Sequence, residues 1–302
     1  MDENILIWVG GKHSLGPWII GKMAPHTRYV EVFMGGGNIF LQKPLASVNV
    51  VNDLNSDLIN MYKVIFDEKK RKMLNELFKE CVYSRSMFTF FKGIKDDKSW
   101  DSFSDVVRAF MFIYINRTSF NGMGMAYARR EDSANLYSLE PIIKMMFNKF
   151  QYGKTVFENL PFQDLLTRTK PGSEKRRINV YDRRDTLIYL DPPYWITTKS
   201  KGKTYYEKVM SEGEHEELRD ILIGHVFAKW LLSYDHVEEI HKLYRLTTDD
   251  GWKTIKSGFG NIHAMLTPTK FQSSSSATGT LVFKQELLIA NYPIANVNTL
   301  FE

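Results

Sequence analysis

Two strand candidates in this chain end in turns that limit what it can fold into. Residues 187–190 are an apolar strand candidate that meets Asp191-Pro192-Pro193-Tyr194, and residues 28–33 run into a glycine turn at 35–37. A second strand candidate, 47–51, follows those glycines, and apolar residues then recur at helical spacing. Strands that alternate with glycine turns and helices predict an α/β fold.

The middle of the chain has a different pattern. Strand signals disappear between residues 60 and 150, where 73–80 and 106–115 are predicted to be helices, the second nearly all apolar and therefore expected to be buried. Later predicted elements are strands at 155–157 and 230–233, a helix at 214–227, and a terminal hairpin of strands 280–283 and 286–290. We therefore expect one α/β domain, built from residues 1–59 and 151–302, with a mainly helical insert at 60–150.

Charge is distributed unevenly along the chain. It has 40 Lys and Arg against 35 Asp and Glu, and residues 60–150 hold 16 of the basic and 11 of the acidic residues. The whole net charge of +5 therefore lies in the insert, which is typical of a segment that binds a polyanion. The basic run at 69–72 also fits a solvated helix face, so both interpretations stay open.

Composition excludes several classes of protein. The chain is 43% hydrophobic and 14% aromatic, which excludes a disordered chain. The single cysteine, Cys81, excludes an intramolecular disulfide and favours a reducing compartment. The seven histidines have no metal-ligand spacing, so no metal is expected. An acidic N-terminal stretch, and a longest apolar run of only 109–115, predict a cytoplasmic protein without a membrane helix.

The glycine turn at 35–37 is suited to holding a ligand. Glycines after a strand let the backbone approach a ligand closely and direct amides at it. Asp53, at the end of the next strand candidate, could accept hydrogen bonds from the ribose hydroxyls of a nucleoside-like cofactor. The structural alternative is a tight turn in which Asp53 caps the following helix.

Asp191-Pro192-Pro193-Tyr194 is the more specific signal. Because it follows an apolar strand, we expect it at a carboxyl end, where open α/β sheets bind ligands. Two prolines hold the turn in one shape and remove two amide donors. The Asp191 carboxylate and the Pro192 carbonyl then form fixed acceptors beside the Tyr194 ring. Such a set fits a flat ring whose exocyclic NH2 group is aimed at an electrophile. The alternative is a turn that only closes the strand.

Together these motifs resemble the Dam-type family of S-adenosylmethionine-dependent DNA N6-adenine methyltransferases. The similarity runs in order along most of the chain and departs from the family at Ile7, in place of a lysine, and at Val32, in place of a proline. Besides Asp191-Pro192-Pro193-Tyr194, which we call the catalytic turn, the matching segments are residues 8–12, 29–37, 52–59, 116–122 and 286–292.

The resemblance implies a Rossmann-like class I methyltransferase domain and assigns residues to its site. The implied cofactor-binding residues are Trp8, Gly10, Lys12, Phe33, Gly35, Gly37, Asp53 and Asp191, and the implied catalytic residues are Asp191, Pro192, Pro193 and Tyr194. Trp8 as a core aromatic and Lys12 as a surface charge are the alternatives. Glu31 fits either a site role or an ion pair with Lys12.

The resemblance also implies that the insert reads DNA. The implied DNA-binding residues are Arg117, Phe120, Asn121, Arg129 and Arg130. Arginines can contact phosphates or guanine edges, and asparagine can pair with an adenine edge. Phe120 could wedge between bases and so offset part of the cost of base flipping. Without the resemblance, Phe120 would be interpreted as a packing residue.

The implied function is site-specific transfer of a methyl group from S-adenosylmethionine to a flipped adenine in double-stranded DNA. The implied partners are DNA, bound by a monomer, and a restriction nuclease in a restriction-modification setting. The rivals are cytosine N4 or RNA adenine as acceptor, an inactive DNA-binding regulator with the same fold, and a nucleotide-binding protein unrelated to DNA. Aspartate rather than serine at position 191 favours adenine by family analogy.

Overall fold

A nine-stranded sheet is the centre of the computed structural model. The structure describes residues 4–8, 10–97, 99–128, 136, 139–169, 176–178, 181–195, 209–248, 254–258, 262–268, 272–273, 282–283 and 285–294. The strands are β1 (Arg28–Glu31), β2 (Val48–Asn52), β3 (Thr155–Glu158), β4 (Thr167–Thr169), β5 (Arg176–Ile178), β6 (Thr186–Leu190), β7 (Lys229–Asp235), β8 (Leu246–Thr248), β9 (Thr254–Ser257), β10 (His263–Leu266), β11 (Gln272–Ser273), β12 (Val282–Phe283) and β13 (Glu286–Ala290).

Helices connect the strands and form most of the described part of the insert. They are α1 (Gly16–Ile20), α2 (Asn38–Gln42), α3 (Ser56–Phe66), α4 (Glu68–Glu80), α5 (Arg85–Asp96), α6 (Asp105–Thr118), α7 (Leu139–Tyr152), α8 (Phe162–Leu166), α9 (Glu212–Gly224) and α10 (Glu238–Leu243). Short 3-10 turns lie at Ser99–Ser102 and Phe120–Gly122.

The strand order is β3-β2-β1-β6-β7-β13-β10-β9-β8. The first five strands of this order run parallel, and β13 pairs antiparallel with β7. The chain moves outward from β1 in one direction and from β6 in the other. The gap between these two strands is therefore the switch point at which such sheets bind ligands, at the carboxyl ends. This topology confirms the predicted α/β, Rossmann-like fold.

Side chains of the central strands alternate between two apolar cores. Along β6, Leu187 and Tyr189 join the core formed with α1 to α7, whereas Ile188 and Leu190 join the core formed with α8 to α10. Alternation along a strand sends successive side chains to opposite faces. Because both faces are covered, β6 is buried along its whole length, which explains why residues 187–190 are a continuous apolar run.

Local sequence explains where two of the helices begin. The Asn55 side chain accepts hydrogen bonds from the amides of Asp57 and Leu58 and so caps α3. Ser211 and Glu214 form a reciprocal capping box at the start of α9. Helix α6 contains the apolar stretch 106–115 and has eleven of its fourteen residues buried, which confirms the prediction of a buried helix.

The predicted terminal hairpin is wrong. β12 pairs with β11, whereas β13 lies between β7 and β10. Leu287, Leu288 and Ile289 are fully buried, and a strand with this apolar content is stabilised more by two flanking strands than by an edge position. The hairpin was predicted because the two strands are close along the chain. Burial of its apolar side chains instead favours β13 at a position between β7 and β10.

Two further observations concern the organisation of the chain. The division at residues 59 and 150 stays a prediction, and both cuts fall inside helices, α3 and α7. In the described ranges, no helix has the length and apolar character needed to span a bilayer.

Candidate active site

Four carboxylates gather at the carboxyl edge of the parallel strands. Glu31 ends β1, and Asp53 and Asp191 follow β2 and β6 directly. Glu286, the fourth, begins β13. Burial raises the pKa of Glu31 and of Glu286, and the nearby charge of Asp191 raises both further. The sheet therefore concentrates negative charge at its switch point.

Lys12 is a cation buried within this acidic group. Its Nζ lies 3.0 Å from Asp191 Oδ2 and 3.6 Å from Glu286 Oε2, and it donates a hydrogen bond of 3.1 Å to the Gly10 carbonyl. Lys12 is only 5% exposed, so the surface-charge interpretation is wrong. Burial raises the pKa of the Asp191 carboxyl, and the Lys12 ammonium opposes that rise.

Asp191 presents a second oxygen to the site. Within the described part of the chain, its Oδ1 is buried and has no hydrogen-bond partner. Leaving a buried acceptor unsatisfied costs about 1–3 kcal/mol. A carboxylate with one oxygen paired and the other unpaired is the arrangement expected where a ligand donates a hydrogen bond to the unpaired oxygen.

The residues after Asp191 form a braced turn. Pro192 is buried, and Pro193 and Tyr194 are partly buried. The Tyr194 ring centroid lies 4.8 Å from Lys12 Nζ. The Trp195 amide donates a hydrogen bond of 3.2 Å to Asp235 Oδ1, at the end of β7. The turn is therefore held between the carboxyl ends of β6 and β7.

Sequence reasoning did not find the role of Glu286. In register, Glu286 pairs with Asp235, the last residue of β7. An antiparallel strand begins at the edge where its parallel neighbour ends, so the first residue of β13 enters the site. Glu286 is the first residue of the matching C-terminal segment 286–292, but its place in the site follows only once the antiparallel direction of β13 is known.

The glycine turn is fixed by Asp53 and covered by Trp8. Gly35 and Gly37 adopt left-handed φ values of 49° and 73°. Asp53 Oδ2 accepts a hydrogen bond of 2.8 Å from the Gly35 amide, and Tyr62 donates one of 2.7 Å to the Gly35 carbonyl. A Cβ on Gly35 would lie 2.7 Å from Trp8 Nε1. The turn therefore requires glycine both for its conformation and for the approach of the indole.

Asp53 and Phe33 occupy positions near the predicted pocket. Asp53 Oδ1 also accepts a hydrogen bond from the Asn55 amide, at 2.9 Å. The cap of α3 is Asn55, however, so the capping alternative for Asp53 is wrong. The Phe33 ring packs 5.9 Å from that of Phe162, which places it on the side of the sheet covered by α8.

Glu31 is a buried acid with a defined partner. Its Oε2 accepts a hydrogen bond of 2.7 Å from the Tyr29 hydroxyl, and its side chain is only 2% exposed. Burial raises the pKa of Glu31 to about 8, although the Tyr29 hydrogen bond opposes the rise. Lys12 pairs instead with Asp191 and Glu286.

The insert presents a tight loop after α6. The Phe120 amide donates to the Ala126 carbonyl at 2.8 Å, and the Ala128 amide donates to the Thr118 carbonyl at 2.9 Å. Phe120 is 55% exposed and Met125 is 49% exposed. Asn121 has a left-handed φ of 53°. We call residues 119–127 the recognition loop.

Arg117 does not take the position predicted for it. It is 6% exposed, and its Nη1 donates to the Asn4 carbonyl at 3.4 Å. Arg117 belongs to the last turn of α6, whose burial extends to its end, so its guanidinium is not proposed to contact DNA. Arg129 and Arg130 lie outside the described residues. Arg85, which sequence reasoning missed, is exposed and stacks 4.8 Å from the Tyr127 ring centroid at the base of the loop.

Several basic residues of the insert are engaged by groups of this chain. Lys70 pairs with Asp105, and Lys72 Nζ lies 2.9 Å from Glu68. The Arg71 guanidinium lies 3.6 Å from the Phe147 ring centroid. These contacts support the solvated-face interpretation of the run at 69–72 rather than a dedicated polyanion site.

The sheet order, the glycine turn and the turn after β6 define the chain as a Rossmann-like methyltransferase. It belongs to the D12 class N6 adenine-specific DNA methyltransferase family, whose model matches residues 8–256. The motif-based resemblance is thereby confirmed. Family membership makes the chain an adenine-specific DNA methyltransferase and implies a methyl donor and a DNA substrate.

Curated relatives show the same similarity. The DNA adenine methylase of Escherichia coli strain K12 is 31% identical over 213 residues, which cover 68% of this chain and 69% of that protein. A type II methyltransferase of Lactococcus lactis subsp. cremoris is 26% identical over 221 residues, 70% of this chain and 73% of that protein. The DNA N-6-adenine-methyltransferase of Escherichia phage P1 is 25% identical over 215 residues, 68% of this chain but only 26% of that protein.

Proposed function

We propose that this chain transfers a methyl group from S-adenosylmethionine to N6 of a flipped adenine within a specific sequence of double-stranded DNA. The observation that carries the proposal is the buried Asp191 Oδ1 at the switch point, which has no hydrogen-bond partner among the described residues. It stands beside the Tyr194 ring, in a chain that belongs to an adenine-specific family.

The residues at the switch point fit S-adenosylmethionine. The cofactor carries a sulfonium and an ammonium group, and the site offers four carboxylates with Lys12 among them. The Gly35 turn lets a ligand approach the backbone closely. We assign the cofactor to Trp8, Gly10, Lys12, Phe33, Gly35, Gly37, Asp53 and Asp191. When bound, the cofactor supplies an electrophilic methyl group on its sulfonium.

The catalytic turn orients the acceptor amine. Asp191 Oδ1 accepts one N6 hydrogen, the Pro192 carbonyl accepts the other, and the Tyr194 ring stacks on the base. Hydrogen bonds from the amine keep electron density on N6 and direct its lone pair. Lys12 stabilises the ionised form of Asp191, which burial disfavours. The N6 proton leaves after transfer, to Asp191 or to water.

The recognition loop and three arginines outside it supply the DNA contacts of the proposal. Phe120 wedges between bases, Asn121 reads a base edge, and Arg85, Arg129 and Arg130 neutralise phosphates. Residues 60–150 form the target-recognition insert, and the protein acts as a monomer. The proposed partner is a restriction nuclease that acts on the same DNA sequence.

Transfer of tritiated methyl groups to unmethylated DNA tests the function. Asp191→Ala should reduce the rate by about 10²–10³-fold or more, because an acceptor aimed at the reacting amine is lost. The exposed Asp220 of α9 provides the control Asp220→Ala, which should retain full activity. Full activity in Asp191→Ala would contradict the mechanism.

Two further measurements separate the rivals. Nucleoside analysis of the product distinguishes N6-methyladenine from N4-methylcytosine, and RNA offered as acceptor tests the RNA alternative. The adenine-specific family match favours the first product. Calorimetry of the wild-type protein with S-adenosylmethionine tests the inactive-regulator alternative, which requires that no cofactor binds.

A further inference from the structure

Residues 4–8 touch both the glycine turn and the recognition loop. We call them the linking segment. Ile5 is fully buried and Leu6 is 4% exposed, and both belong to the core formed with α1 to α7. The segment is therefore packed in place between the two regions that the proposed function assigns to cofactor and DNA.

On the cofactor side, the linking segment is fastened to the glycine turn. Asn4 Nδ2 donates to the Gly36 carbonyl at 2.5 Å and to Asn38 Oδ1 at 3.1 Å. The Trp8 side chain lies over the same turn, since a Cβ on Gly36 would be 2.8 Å from Trp8 Cβ. A displacement of the segment must therefore disturb the turn.

On the DNA side, Asn116 makes two hydrogen bonds to the segment, beside the 3.4 Å hydrogen bond that Arg117 Nη1 donates to the Asn4 carbonyl. Asn116 Oδ1 accepts from the Ile7 amide at 2.8 Å, and its Nδ2 donates to the Ile7 carbonyl at 2.9 Å. The same Nδ2 donates to the Gly122 carbonyl of the recognition loop at 2.8 Å. A Cβ on Gly122 would lie 2.1 Å from the Ile7 oxygen, so loop and segment are in direct contact.

The amide side chain of Asn116 is suited to the junction between the linking segment and the recognition loop. The residue is 6% exposed on the last turn of α6, where an apolar side chain would satisfy packing alone. All three hydrogen bonds instead join backbone groups of two separate segments. Buried amides satisfied in this way fix relative position, because each partner loses its bond if the other moves.

We propose that Asn116 is a positioning residue that couples cofactor binding to DNA binding through the linking segment. The inference rests on the proposed function. DNA that binds the recognition loop fixes the position of Gly122 and, through it, of Asn116. Asn116 in turn fixes Ile7, and the linking segment then keeps Trp8 packed on the glycine turn. Each ligand thus favours the arrangement that the other requires, and linkage makes the effect reciprocal.

The test is a thermodynamic cycle. The affinity of S-adenosylhomocysteine, an unreactive cofactor product, is measured with and without a short duplex that contains the sequence methylated by the wild type. In the wild type, DNA should tighten its binding by about fivefold or more. In Asn116→Ala, this factor should fall below about twofold, while each ligand alone binds within about threefold of the wild type. The KM for DNA should rise at low cofactor concentration, with little change in kcat at saturation.

Asn49 provides a matched control. It is fully buried on β2, its Nδ2 donates to the carbonyls of Ala46 and Gly153, and its Oδ1 accepts from the Ala46 amide. Asn49→Ala therefore removes the same number of backbone hydrogen bonds without touching the junction. It should keep the wild-type coupling factor even if the protein becomes less stable.

The outcomes separate the inference from the proposed function. If the wild type methylates DNA but shows no coupling, or if Asn116→Ala keeps it, the inference is wrong and the function stands. Equal loss of coupling in Asn49→Ala would also overturn it. If Asn116→Ala does not fold, Asn116→Ser keeps a polar group in the buried site and must show the same loss. A wild type that transfers no methyl group contradicts the function itself.

Discussion

The catalytic turn and the recognition loop both follow a buried element, but they deliver polar groups differently. The turn begins where β6 ends, and its first residue, Asp191, enters the site at once. The loop begins where α6 ends, and the polar residues at that end of the helix, Asn116, Arg117 and Thr118, stay buried. A parallel strand ends at the open edge of a sheet, whereas a packed helix remains covered through its last turn. The function of the candidate active site at the sheet edge, the edge site, should therefore depend on buried charge. The function of the recognition loop should depend on exposed contacts.

The largest expected effect tests the buried charge of the edge site. The raised pKa of Glu31, about 8, means that the folded state holds its proton more tightly than the unfolded state does. The contribution of Glu31 to the free energy of unfolding is therefore greatest below about pH 4.5 and is lost as pH rises towards 8, a difference of at most about 5 kcal/mol. Glu31→Gln should remove much of this slope in urea unfolding followed across that range.

The matched control for this prediction is Glu76→Gln, at an exposed position of α4, which should keep the wild-type slope. An unchanged slope in Glu31→Gln would show that the acid is not held neutral by burial. The claim that the site at the carboxyl edge of the sheet depends on buried charge would then be wrong.

The next effect tests the exposed contact of the loop. Phe120→Ala should weaken DNA binding or flipping by about 1–3 kcal/mol, because the side chain no longer fills the space left by the target base. Fluorescence of 2-aminopurine at the target position measures flipping directly. Thermal stability should change little, since Phe120 is 55% exposed.

Phe227→Ala is the control for Phe120→Ala. Phe227 is 72% exposed and precedes β7 at the amino end of the strands, opposite the site. It should leave flipping unchanged. A large loss of stability in Phe120→Ala, with normal flipping, would return Phe120 to the role of a packing residue.

The smallest effect concerns Arg85 at the base of the loop. Arg85→Ala should reduce the salt dependence of DNA affinity by about one unit of slope and weaken binding uniformly across sequences. Lys72→Ala is the comparison, because Lys72 lies in the same insert but pairs with Glu68. Equal slopes for both variants would mean that charge acts through the overall field of the insert rather than through a contact at the loop.

The sequence predicted the edge site better than the loop, for physical reasons. Asp53 and Asp191 were found because strand ends and turn residues leave local signals. Glu286 was missed because its place depends on the antiparallel direction of β13, which no local pattern shows. The burial of Arg117 could have been inferred, since the apolar stretch that predicted a buried α6 ends one residue before Asn116.

The ion pairs that join Lys12 to Asp191 and Glu286 also set an order of assembly during synthesis. The lysine emerges from the ribosome first, the aspartate follows after the whole insert, and the glutamate arrives only with β13, the last strand among the described residues. Contacts of such sequence separation form late in folding. The helices of the insert are therefore complete in the nascent chain before both ion pairs of Lys12 can form.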